Sequence, residues 1–124
     1  SLDPHVDHGD AATPRLLHVD GLFQHVKDHH HLYKALMWGQ GLELLFKKGQ
    51  SYLGRNIEAQ IISLALPQHD LSVPLPILSN YLAGTLLTLL KWWLDNNMPY
   101  TPQRMDEIFQ QLVMPGIREV LHGK

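Results

Sequence analysis

The sequence predicts an all-α fold, a bundle of about five helices whose last two long helices form an antiparallel hairpin. Three observations carry that prediction. Apolar residues recur at spacings of three and four along most of the chain. No segment shows the clean alternation of a half-buried strand. Turn and cap residues (Thr13-Pro14, Gly39 and Gly41, Pro67, Asn96-Asn97, Thr101-Pro102) fall between the periodic stretches.

The 124 residues suffice for one domain. Residues 1–12 lack periodicity and read as a linker, leaving 13–124 as a single helical unit. Thr13 is placed to cap a helix and Pro14 to occupy its first position. From there Leu16, Val19, Leu22, Phe23, Val26, His30, Tyr33, Leu36 and Met37 mark one amphipathic face running to Trp38, with a break expected around His29–His31. The next helix, from about Leu42 to Leu64, buries a face marked by Leu45, Phe46, Gly49, Leu53, Ile57 and Ile61. Pro67 ends it, and a proline-rich loop leads to Pro76.

A fourth helix, from about Pro76 to Asn96, carries two apolar stripes, Leu82-Leu86-Leu89-Trp93 and Ala83-Leu87-Leu90-Leu94. A third stripe, Tyr81-Thr85-Thr88-Trp92, is weakly polar in its middle. A helix apolar over most of its circumference must be covered on most sides, and so small a domain cannot do this alone. A second subunit is the economical cover. Trp92 and Trp93 point about 100° apart, so Trp93 is assigned to its own core and Trp92 to the partner. The last helix starts at Thr101-Pro102 and places Met105, Ile108, Phe109, Leu112 and Val113 on one face. Pro115-Gly116 is expected to kink or end it. Two copies of the final hairpin would make a four-helix dimer interface, with Tyr81, Thr85, Thr88, Leu89, Trp92, Met105, Phe109 and Leu112 as candidates.

Composition narrows function. The absence of cysteine excludes disulfides and thiolate chemistry. A net charge of −2 argues against nucleic-acid binding by this chain alone. The most apolar window, Ile77 to Leu94, contains Ser79, Asn80, Thr85, Thr88 and Lys91 and is too polar to span a membrane, so a cytoplasmic protein is expected. Ser51, Ser63, Ser72 and Ser79 have no Gly-x-Ser-x-Gly setting, and no nucleotide-binding glycine pattern occurs. No enzyme and no cofactor is expected.

The block Lys91-Trp92-Trp93-Leu94-Asp95-Asn96-Asn97-Met98-Pro99-Tyr100-Thr101-Pro102, preceded by Tyr81-Leu82-Ala83-Gly84 and followed by Met105 and Phe109, resembles the C-terminal domain of tetracycline-repressor-like (TetR/AcrR-type) transcriptional regulators. Leu22-Phe23-Gln24-His25-Val26 and Leu32-Tyr33-Lys34-Ala35-Leu36 resemble the start of that domain. The resemblance implies an effector-binding and dimerising domain, working as a homodimer, that follows a three-helix DNA-binding head. No helix-turn-helix pattern fits before Thr13, and the chain starts without an initiator Met, so an excised domain is expected. DNA would be reached only through the missing head.

Tyr33, Met37, Trp38, Leu42, Phe46, Tyr52 and Leu53 cluster where the first two helices meet. Such stripes are commonly core packing; the resemblance favours a pocket for a small apolar effector, with the polar ends of Tyr33, Tyr52 and Trp38 orienting it. Two other functions stand beside this one. A helical interaction module would hold no small molecule. A metal-binding bundle would use His25 and His29, whose i, i+4 spacing suits two imidazole ligands, although a solvated His-rich helix end explains them as well.

Overall fold

The computed structural model describes residues 5–7, 15–39, 41–63 and 71–121, with side chains from Leu17 onward. Five helices form the body: α1 (Asp20–Asp28), α2 (His30–Trp38), α3 (Leu42–Ile62), α4 (Leu75–Asp95) and α5 (Pro102–Leu121). The all-α bundle is as expected. Helix α3 packs chiefly on α4, and α1 on α5.

The N-terminal end departs from the sequence reading. The helix expected from Pro14 begins only at Asp20, because Arg15–His18 is a strand (β2) paired antiparallel with His5–Asp7 (β1). Thr13-Pro14 lies outside the described residues. The ladder shifts register between His5 and Asp7, and Leu17 takes a left-handed φ of 61°. That conformation is costly for leucine, on the order of 1 kcal/mol. Tertiary contacts hold it there: Leu17 is 1% exposed, and its carbonyl accepts a 2.8 Å hydrogen bond from the Gln110 amide on α5. Next along, the buried Val19 N–H donates to Asp106 Oδ1 at 2.9 Å, and Asp106 Oδ2 lies 3.3 Å from His18 Nδ1. These long-range contacts override the helical periodicity of Leu16 and Val19.

The expected break at His29 is present. His29 leaves helical geometry (φ −122°, ψ 33°) and divides α1 from α2. At the other end α4 closes in a Schellman arrangement. Asn97 (φ 62°) donates to the Leu94 carbonyl at 3.1 Å, and Met98 donates to that of Trp93 at 2.7 Å. Thr101 Oγ1 then accepts from Arg104 N at 3.0 Å, and Pro102 opens α5, the start signal that the sequence carried.

Of the two outcomes expected at Pro115-Gly116, a kink or a stop, the stop does not occur. The helix runs on to Leu121 with Pro115 inside it. Gln111, whose carbonyl loses its helical partner, is exposed along with Pro115 and Gly116, so the freed group is open to solvent. Meanwhile Met105, Phe109, Val113 and Ile117 continue one buried row across the proline. Four of them on one face outweigh a missing hydrogen bond.

Trp93 is the centre of the core. It is fully buried, meets Phe23 of α1 edge to face at 4.9 Å, and donates from Nε1 to the Tyr100 carbonyl at 2.8 Å. It thereby ties α1, α4 and the α4–α5 turn together. Near the other end of α4, buried Ser79 donates to Glu58 of α3 at 2.7 Å.

Candidate functional site

A cleft of about 180 Å³ opens between α1, α2, α3 and α4. Helix α1 contributes Leu22 and Val26, and α2 contributes Tyr33 and Met37. Helix α3 supplies Leu45, Gly49, Tyr52 and Leu53, and α4 closes the far wall with Leu87 and Leu90. A Cβ at Gly49 would sit 3.4 Å from Leu87 Cδ2. Among the described residues no charged side chain lines the space. Burial pushes the Tyr33 hydroxyl above the usual phenol value, so it stays neutral and able to donate one hydrogen bond. The His25 ring meets Tyr33 edge-on at 5.8 Å.

Four of the seven residues proposed from sequence meet in this cleft: Tyr33, Met37, Tyr52 and Leu53. Three do not. Trp38 ends α2 and swings outward, 64% exposed, its indole donating to Asp95 Oδ1 at 2.8 Å. Phe46 faces an open groove with Thr88, Lys91, Trp92 and Asp95. Leu42 is partly buried at the edge of the core. The α1 and α4 walls were not assigned to a pocket from sequence. Their leucines and valine obey the same periodicity as core residues, so spacing carried no separate signal.

The residues of α4 and α5 expected at a partner contact are the other candidates. On α4, Tyr81 (59% exposed), Trp92 (46%) and Thr88 are open to solvent, and on α5 so is Leu112 (61%). Tyr100 stacks on Trp92 at 6.4 Å. Thr85 and Leu89 are partly buried. Met105 and Phe109, placed at a partner contact from sequence, are instead 1% and 0% exposed in the single chain. They complete its own core, and a second subunit would find no surface on them. The amphipathic pattern of α5 marked the buried face correctly but could not say which of two neighbours buries it.

A family model described as a transcriptional regulator C-terminal region, of the TetR type, matches residues 18–115. The chain belongs to that family. Comparison with curated proteins and with solved structures gave no match. The match spans α1 to α4 and most of α5, so the cleft and these α4 and α5 residues lie within the TetR-type regulatory region.

Two histidine clusters remain in this TetR-type domain. His25 and His29 bring their rings to 4.5 Å. Partial desolvation, and then the neighbouring His29, lower the His25 pKa below the usual imidazole value. Among the described residues no third His, Asp or Glu joins them at ligand spacing. The Asp3–His8 segment, a possible source of ligands by sequence, lies outside the described side chains. Instead His18, Asp20 and Asp106 each bring one ligand atom within 4.8 Å of the others. Residues 18 and 106 are too far apart in sequence for spacing to reveal this. Both side chains of the His18–Asp106 pair are nearly buried, and they serve the α1–α5 contact described above. The exposed Asp95 accepts from Lys91 Nζ at 2.6 Å as well as from Trp38. Those two donors, Lys91 first, lower its pKa below the ordinary carboxylate value. Among the described residues no helix is long and apolar enough to cross a membrane.

Proposed function

We propose that this TetR-type regulatory domain senses a small apolar molecule in the cleft between α1 and α4 and pairs with a second copy through the outer face of α4 and α5. The cleft carries the sensing reading: its walls come from four helices, are almost wholly hydrocarbon, and converge on two tyrosine rings. That is the usual form of a small-molecule site in a helical bundle. The exposed Tyr81, Trp92 and Leu112 on neighbouring helices support pairing, since exposed aromatic and leucine side chains concentrate at interfaces.

The physical mechanism is differential affinity. An effector that fills the cleft stabilises one placement of α1 and α2 against the α3–α4 pair, and the equilibrium between two dimer states shifts by that difference. DNA-binding heads attached to such a dimer would be moved together or apart, which places the protein with DNA in the cytoplasm. No catalytic role is assigned. Thermal unfolding in the presence of graded neutral small molecules tests the sensing claim. A Tm that rises with ligand concentration supports it. A Tm indifferent to every hydrophobic ligand, together with no retained organic adduct by native mass spectrometry, contradicts it.

A further inference from the structure

We infer that the cleft selects uncharged, single-ring aromatic molecules carrying at most one hydrogen-bonding group, and that Gly49 sets its depth. The inference rests on the sensing reading above and narrows it to a chemical class.

Size comes first. A dry apolar cavity of about 150 Å³ accepts benzene. At about 180 Å³, this cleft has the size for one six-membered ring with one or two substituent atoms. Charge comes next. An ionised carboxylate or ammonium moved into such walls loses its hydration with no opposite charge to meet it, a cost of several kcal/mol. Ionised ligands of the same size are therefore rejected. Ring character follows from what the walls offer. Tyr33, Tyr52 and the thioether of Met37 surround the space, and aromatic edges and sulfur favour an aromatic guest over a saturated chain of equal area. The neutral Tyr33 hydroxyl supplies one polar contact, which a phenolic guest would use and a plain hydrocarbon would not.

Gly49 is the position where α3 backbone reaches the cleft. A methyl group there lies at ordinary contact distance from Leu87, 3.4 and 3.7 Å from its two methyls, so it fits without forcing the helices apart. It also improves helix propensity. Gly49→Ala should thus fold at least as well as the parent while taking volume from the guest.

The test is calorimetric titration of the intact chain with toluene, phenol, benzoate and 1-octanol, with xenon binding followed by NMR as a probe of a dry cavity. The expected result is one toluene or phenol per chain, with benzoate and octanol at least tenfold weaker. Gly49→Ala should weaken toluene tenfold or more without lowering Tm, and Tyr33→Phe should weaken phenol but not toluene. Benzoate or octanol binding as tightly as toluene would overturn the class while leaving the sensing reading intact. Unchanged toluene affinity in Gly49→Ala would overturn the role of Gly49. If xenon and all four molecules fail to bind, the sensing reading itself falls.

Discussion

Replacing Asp106 with alanine removes one of the side chains that, with Gln110, hold the entry to α1 against α5. Asp106 Oδ1 accepts the Val19 N–H at 2.9 Å, and Val19 is 0% exposed, so no water can take over as acceptor. Stranding a buried donor costs about 1–3 kcal/mol, and hydrogen bonds to charged groups contribute about 1.5–3 kcal/mol. These figures describe the same loss and are not summed. Relief of the buried carboxylate's own desolvation offsets a part. The expected destabilisation is about 2 kcal/mol. For a chain of this length that corresponds to a Tm lower by roughly 8 °C. Asp106→Asn keeps an acceptor oxygen and should recover more than half. Urea unfolding followed by far-UV circular dichroism, at one fixed protein concentration because association contributes, gives both numbers. An alanine variant within 0.5 kcal/mol of the parent at unchanged m-value would refute the reasoning.

Other consequences are open to measurement. Phe109→Ala opens a cavity in the core of the single chain and should cost about 3–5 kcal/mol, whereas Leu112→Asp one turn away should keep its helical spectrum and lose association. Equal loss of association in both would return Phe109 to the interface. The lowered Asp95 pKa means that this group adds stability above the ordinary carboxylate value and loses it as pH falls through its own lower midpoint. Trp38→Phe removes one donor, so the Asp95 carboxyl carbon should titrate at higher pH by NMR, and an unmoved midpoint would show that the indole contact does not persist in solution.

What the sequence revealed and what it hid follow from locality. The break at His29, the Thr101-Pro102 start and the inward Trp93 depend on neighbours within a turn or two, and each was readable. The strand Arg15–His18 was not, because Gln110 and Asp106, ninety or so residues away, stabilise a conformation that Leu17 would not adopt alone. At Pro115 local rules left a kink and a stop both open, and the burial of Ile117 beyond it goes with a helix that continues. Tyr33, Met37, Tyr52 and Leu53, grouped from sequence at a helix junction, do line one cleft together, because their periodicity turns all four toward the interval between the helices. Trp38 lies outside that cleft because its indole bonds Asp95, on a helix whose end spacing alone could not position in space.

Pairing through the α4–α5 face is the claim on which the regulatory account turns, since only a dimer can convert an effector into a change of relative placement. Native mass spectrometry of the tag-free chain at low micromolar concentration tests it directly, read beside Trp92→Asp. The account predicts a species near 28 kDa, twice the 14.2 kDa chain, that reverts to monomer in the variant. A parent that is monomeric, or a Trp92→Asp variant that stays fully dimeric, would contradict it.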